Sequence, residues 1–474
     1  MTYPNVLVLN YLRTTGTINP ELEMMAETYV GEGYQRLLTF ETPEGGFTLF
    51  GDPPGDVFLT AYGLMEFSDM AQVYPVDEAL IERTARWLLE RQQPDGTWLQ
   101  QGYSEHWQIG AELPTTAYIA WALIEAGYAD TMEVGRAISY LREFASQAED
   151  PYSLALVANA LAAYDPEDGA TRAVVDRLYE MRVEDGDEVY WGAGAGSFMG
   201  ATGESGSVES TALAAYALMR AKAHPEAVSG ALAYIIGHKD PQGTWGTTQA
   251  TILALKALLL ASSTGGSAEG AATVRVSLNG ELTQEITIDE TNADVVHAVT
   301  FDRGFSPTGA NRVRIELEGG GNLMLQVTTR YYLPWDVVPA AEMAGEMVDV
   351  EVRYDRTQIA VNDEVTVQVQ VRVNQPGVVR LALVDLGLPP GFTVLSEDLS
   401  RLVETGVIAR YELTGRQIIL YLEDFSSEKP ITFSYRLRAR FPMRAKTPAS
   451  SAYDYYNPGD PSVREPVEMV VVEG

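Results

Sequence analysis

Six segments, all before residue 262, are apolar almost all the way round at helical spacing, and this feature most limits what the chain can fold into. They are YPNVLVLNYL (3–12), DVFLTAYGLMEF (56–67), TTAYIAWALIEAG (115–127), YSLALVANALAAY (152–164), VESTALAAYALMRA (208–221) and TTQATILALKALLLA (247–261). A helix apolar on every side has to be buried on every side. Five one-sided helices alternate with them, over 20–38, 76–92, 131–147, 169–182 and 226–238. In the second of these, Leu80, Ile81, Thr84, Trp87, Leu88 and Arg91 recur at helical spacing with charges elsewhere. Alternating inner and outer helices predict an α/α toroid, a ring of helical hairpins. Six inner and five outer helices leave that ring one outer helix short, and the deficit falls before Met1. TPEGGF (42–47), QPDGTW (93–98) and DPQGTW (240–245) each set a glycine near an aromatic after a helix. The glycine accepts the left-handed conformation that ends the helix, and the aromatic plugs the ring.

The pattern changes at ASSTGGSAEGAA (261–272), which reads as a linker or a tight crossing. Beyond it the period becomes two. Val274, Val276 and Leu278 share one face, and Asn279-Gly280 predicts a type I′ hairpin turn. NRVRIELEG and LMLQVTTRYYLPW are expected to carry this sheet on to residue 335. After the connector DVVPAAEMAGEM, seven or more strands at regular spacing from Val348 onward predict a sandwich, interrupted by one short helix, SEDLSRLVE (396–404). The expected order is therefore multidomain, α then β, with units over 1–262, 271–334 and 347–474.

Sixty-six acidic against 33 basic residues give a net charge of −33, which argues against nucleic acid or an anionic membrane surface as partner. No apolar run is long enough to span a membrane, and MTYPNVLVLNYL is not a secretory signal. With no cysteine, this chain forms no disulfide, cysteine-ligated zinc site or thiolate nucleophile. Walker, HExxH, GxSxG and EF-hand motifs are absent, and no cofactor or metal is expected. EDGDE (184–188) reads as a solvated acidic turn, and WGAGAGSFMGATGESG (191–206) as a long loop between ring helices. A toroid glycosidase would need two facing carboxylates. The candidates Glu112, Glu204 and Glu209 are expected to cap helices or lie exposed. That leaves His106, between the turn at 93–98 and the inner helix at 115, at the mouth of the ring.

The order of motifs resembles the thioester-containing alpha-macroglobulin and complement proteins over essentially the whole chain. PNVLVLNYLRTTGTINPE is similar to the helix that directly follows their Cys-Gly-Glu-Gln motif. VFLTAYGLMEF, ERQQPDGTW, TAYIAWALIEAG, VESTALAAYAL and PQGTWGTTQATILALKAL resemble successive segments of their thioester domain. Residues 271–334 resemble the second part of the CUB domain, and LPPGFTVL and SAYDYYNP the C-terminal macroglobulin or receptor-binding domain. The resemblance implies a protease trap: bait cleavage exposes an internal Cys–Gln thioester, which acylates the attacker. In the hydroxyl-transferring members a histidine ten residues after the Gly of the same turn first takes the acyl group, and ten residues after Gly96 stands His106. The thioester Cys and Gln themselves would lie upstream of Met1, so this chain alone cannot form the bond and is not an enzyme. Implied partners are proteases, protein or cell-surface nucleophiles and upstream macroglobulin domains, in an extracellular or cell-envelope setting. The lysines of animal receptor recognition are missing from SEDLSRLVE; the lack of cysteines and N-x-S/T sequons points to a bacterial-type relative. Competing readings are a non-covalent binding or structural module with His106 inert, and an α/α-toroid hydrolase.

Overall fold

The structure, a computed structural model, describes residues 2–15, 20–99, 112–194, 196–198, 200–240, 243–264, 272–289, 292, 297–306, 309–319, 325, 327–329, 331–338, 345 and 347–473. Its first part is built from α1 (Thr2–Thr15), α2 (Pro20–Leu38), α3 (Val57–Met70), α4 (Glu78–Leu89), α5 (Glu112–Glu125), α6 (Met132–Phe144), α7 (Pro151–Tyr164), α8 (Gly169–Glu180), α9 (Gly203–Arg220), α10 (Pro225–Gly237) and α11 (Thr248–Thr264). The odd-numbered helices pack in succession, α1 on α3 and so on to α11, and α11 returns to α1. Each even-numbered helix from α2 to α10 packs outside the odd-numbered helix before it. This is the expected ring, and the residue pattern explains it. In α5 every residue from Leu113 to Leu123 is buried, whereas α4 buries only Leu80, Thr84, Ala85, Trp87 and Leu88. Alanines such as Ala155, Ala158, Ala214 and Ala217, all without exposed surface, let the inner helices lie close.

The closing turns share a device. After α4, Gly96 takes φ +94° and the Trp98 indole N–H donates to the Leu88 carbonyl at 2.7 Å, satisfying the end of the outer helix. The Trp98 main-chain N–H donates to Thr116 Oγ1, inside the next inner helix, at 3.2 Å. Trp245 repeats both bonds with Ile235 O (2.5 Å) and Thr251 Oγ1 (3.1 Å). Phe47 has no indole and makes only the second, to Thr60 Oγ1 at 2.8 Å. Trp191 makes both, with Leu178 O (2.7 Å) and Thr211 Oγ1 (3.0 Å). It does so without the glycine turn of the other three, following instead a hairpin of β1 (Val183–Asp185) and β2 (Glu188–Tyr190).

In the next unit, β3 (Ala272–Leu278) lies between β4 (Leu282–Ile288) and β5 (Val313–Gly319). Asn279 and Gly280 take φ +55° and +76°, and Glu281 N donates to Leu278 O at 3.2 Å, as a type I′ turn requires. The expectation that the sheet continues to residue 335 is corrected. The described residues among 325–334 form no strand, and Tyr331 and Tyr332 are 71% and 89% exposed. An alternating pattern becomes a strand only where a neighbouring edge supplies hydrogen bonds.

The last unit holds β6 (Val348–Tyr354), β7 (Gln358–Ala360), β8 (Glu364–Val373), β9 (Val378–Gly387), β10 (Phe392–Val394), α12 (Ser396–Glu404), β11 (Arg410–Leu413), β12 (Gln417–Ser426), β13 (Ile431–Ala439), β14 (Met443–Lys446), β15 (Ser450–Asp454), β16 (Asn457–Arg464) and β17 (Glu468–Val472). Sheets β10-β13-β8-β6 and β11-β12-β9-β15-β16 enclose a core that includes Val350, Val367, Val384, Leu420 and Tyr435. The smaller sheet β14-β17-β7 completes the unit. Helix α12 is tied to β13 by Asp398, whose two oxygens accept from Arg436 Nε (2.9 Å) and Nη2 (3.0 Å).

The threonine bond is testable. Thr116→Val, which keeps the side-chain shape and removes the acceptor, is expected to cost about 1–3 kcal/mol in urea unfolding. Gly96→Ala is expected to cost a similar ~1–3 kcal/mol, because its Cβ would meet the Arg136 main chain at 2.9 Å in a left-handed conformation. Gly135→Ala in α6, where a Cβ meets nothing within 4 Å, is expected to gain about 0.5–1 kcal/mol.

Candidate functional site

His106 lies outside the described residues, but both flanks of its segment are fixed. The chain leaves through the buried Trp98 at the end of an outer helix and re-enters at Glu112, the exposed first residue of α5. Because every outer helix returns the chain, the inner helices all run in one direction, and α3, α5, α7, α9 and α11 start toward the same end of the ring. The sandwich sits on that end. Asn457 Oδ1 accepts from Thr202 N (2.9 Å) and Thr202 Oγ1 (3.0 Å), just before α9. Arg36 Nη2 lies 3.4 Å from Glu412 Oε1, and the Arg410 guanidinium lies 5.6 Å from the Phe50 ring centroid.

Between ring and sandwich is a cavity of about 270 Å³. Phe40, Phe50, Tyr62 and Glu66 line it from the ring, and Arg410, Tyr421 and Tyr455 from the sandwich. Tyr62 also packs edge-on against Tyr3, in the first turn of α1, with ring centroids 5.8 Å apart. Tyr3 is 2% exposed, and its hydroxyl donates to Asp69 Oδ2 at 2.5 Å. The Lys256 ammonium donates to the same oxygen at 2.6 Å. Burial opposes the Lys256 charge, but Asp69, Tyr216 and Glu125 together outweigh it and hold the ammonium above the usual lysine range.

Glu66 is 2% exposed, and burial, helped by the negative charge of Asp69, pushes its carboxyl up to about 8. It is therefore largely protonated at neutral pH. Sequence reasoning missed it; the available signal was an acid set between Met65 and Phe67 in the apolar part of an inner helix. Glu209 requires a correction too. It is fully buried, not exposed or capping, accepts from Thr247 Oγ1 at 3.0 Å, and is raised by burial to about 7. Glu112 and Glu204 lie exposed in the first turns of α5 and α9, as expected. The three do not converge as a glycosidase pair would: one is sealed in the ring and two face solvent. The 184–188 stretch is an exposed hairpin turn, and among the described residues no group of three His, Cys, Asp or Glu could hold a metal ion. No described helix is long and apolar enough to cross a membrane.

A toroid of helical hairpins covered at one end by a β-sandwich is the arrangement of a macroglobulin-type C-terminal region. Residues 1–260 match the A-macroglobulin TED domain, and residues 377–466 the A-macroglobulin receptor binding domain. The chain belongs to the alpha-macroglobulin family. It is 24% identical to ovostatin of Gallus gallus, covering 98% of this chain and 32% of ovostatin. It is likewise 24% identical to complement C3 of Eptatretus burgeri, covering 96% of this chain and 29% of that protein. The chain thus spans roughly a third of the length of these relatives. Among solved structures, alpha-2-macroglobulin of Escherichia coli from domain MG7 to the C-terminus superposes with a TM-score of 0.65 at 16% identity, covering 99% of this chain and 72% of that one. Salmonella alpha-2-macroglobulin reacted with methylamine gives a TM-score of 0.65 at 18% identity, over 99% of this chain and 30% of that one. These structures share the fold.

The buried acids set a pH dependence. Each has a folded value above its unfolded value of 4.5, so the unfolded chain loses protons that the folded chain keeps. Their contribution to stability is full below pH 4.5 and is lost as the pH rises toward about 8. Glu66→Gln is expected to match the wild type near pH 4.5 and to exceed it at pH 8 by on the order of 1–4 kcal/mol in denaturant titrations. Parallel stability profiles for the two proteins would contradict this.

Proposed function

We propose that this chain is the C-terminal part of an alpha-macroglobulin-type protease trap. In the longer protein it presents an internal thioester at the start of α1 and uses His106 to pass the acyl group to a hydroxyl. Cleavage of an upstream bait segment would part the ring from the sandwich. The imidazole nitrogen would then attack the thioester carbonyl, the C–S bond would break, and sulfur would leave as thiolate. That thiolate would take the proton of an incoming hydroxyl as the hydroxyl oxygen displaces the imidazole. The acceptors are nucleophiles of the trapped protease or of a nearby surface, and the setting is extracellular or the cell envelope.

The observation that carries this reading is that a buried aromatic contact ties the first turn of α1 to the cavity between ring and sandwich. Tyr3 is buried against Tyr62, and Tyr62 lines the cavity that the sandwich covers. An acyl thioester survives only where water is kept away, and a cavity overhung by a second domain gives such a group cover until the domains separate. The alternative of an inert binding module gives no reason for the end of the ring beside α1 to need this cover.

In the longer protein, methylamine is expected to release about one titratable thiol per chain and to leave a methylamide on the acyl carbon. No thiol release would overturn the reading. His106→Asn is expected to shift the partition between methylamine and glycerol toward the amine by roughly 10²-fold, the scale of general acid–base catalysis. An unchanged partition would remove the role assigned to His106.

A further inference from the structure

The ring closes where α11 meets α1, and there the structure departs from its own habit. The other contacts between successive inner helices are made chiefly of alanines and larger apolar side chains. At this seam two charges and a phenol meet below the surface. Asp69 near the end of α3, Lys256 in the middle of α11 and Tyr3 in the first turn of α1 converge on a single atom, Asp69 Oδ2. The Lys256 and Asp69 side chains are 10% and 19% exposed, and the ammonium also lies 5.4 Å from the Tyr3 ring centroid.

An apolar seam would pack as firmly, because burying an ion pair recovers little beyond its own desolvation. What the polar seam adds is register. A slide of α1 by one residue shifts it about 1.5 Å and turns it about 100°, which an apolar contact tolerates and a bond to one oxygen does not. The far end of α1 is held separately, where Arg13 Nη1 donates to Val73 O at 2.5 Å and its guanidinium pairs with Glu23 and Glu27. Tyr3 is thus a polar contact that ties the leading turn to α3 and α11.

We propose that Tyr3, Asp69 and Lys256 form a positioning latch, which locks the first turn of α1 against α3 and α11 and so fixes how the group preceding α1 is seated in the covered cavity. The seating half of this inference rests on the protease-trap reading; the latch itself rests on the ring alone. Tyr3 and its partners act through α1 and touch no reacting atom.

Tyr3→Phe removes the hydroxyl and keeps the ring contact with Tyr62. In the 474-residue chain, amide hydrogen exchange of residues 6–12 is expected to accelerate at least about tenfold, with α6 and the sandwich unchanged. Exchange within about twofold of the wild type would overturn the latch. Lys256→Met serves as the second variant. Combined with Tyr3→Phe it should add little, because the two act through one oxygen; full additivity would contradict a shared network. In the longer protein, the rate at which thiol appears in buffer alone, divided by the total released with methylamine, is expected to rise several-fold in Tyr3→Phe while the melting temperature stays within a degree or two. Faster exchange with an unchanged thiol leak would confine the network to ring stability and overturn its positioning role. A wild type that releases no thiol with methylamine would contradict the protease-trap reading and the seating role with it, and the exchange experiment would still decide the latch.

Discussion

A main-chain N–H at the foot of each closing turn must find an acceptor in a place that water does not reach, and in four of the turns it finds a threonine hydroxyl inside the next inner helix. Leaving such a group unpaired costs about as much as several buried methylenes, so the bond dictates where the inner helix stands relative to the turn. In three of the four, the indole N–H of the same residue caps the preceding outer helix. One tryptophan thus sets two helices at once, and repetition carries the same spacing round the ring. The cylinder of inner helices then presents its starting end as a common rim.

What sits on that rim follows from the same geometry. The sandwich reaches the N-terminal end of α9 through Asn457 and the outer helix α2 through Glu412. Between them lies a cavity whose ring wall carries Tyr62 and the protonated Glu66. The ring and the sandwich have separate hydrophobic cores and are joined by a few polar bonds and a film of aromatics. Such an interface can part without unfolding either side, and interfaces of this kind are where relative domain motion is expected.

Much of this was legible in the sequence, for identifiable reasons. All six inner and five outer helices follow from apolar periodicity alone, since a wholly apolar helix has one possible environment. The strands β6, β8, β9, β12, β13 and β17 follow from period-two runs, which the short helix α12 interrupts. Strand β16 was missed because Pro458 and Pro461 break its pattern, yet it pairs with β15 at the sheet edge. The threonine acceptors, Trp191 as a fourth closing residue, and Glu66 in the cavity were not legible. They depend on how elements meet in space: Trp98 and Thr116 lie 18 residues apart, Trp191 and Thr211 lie 20 apart, and Glu66 is buried by the packing of α3 within the ring. Glu209 was misjudged for the opposite reason, because a charged residue in an apolar segment is usually at the surface, and here Thr247 and burial make it an exception.

The central claim is that the first turn of α1 delivers an acyl group into the covered cavity between ring and sandwich. A structure of the unreacted longer protein measures this directly. The account expects the acyl carbonyl in van der Waals contact with Tyr62 or Tyr455, with the His106 imidazole able to come within roughly 3 Å of it. A carbonyl on the outer face of the ring, open to water with the sandwich in place, would contradict it.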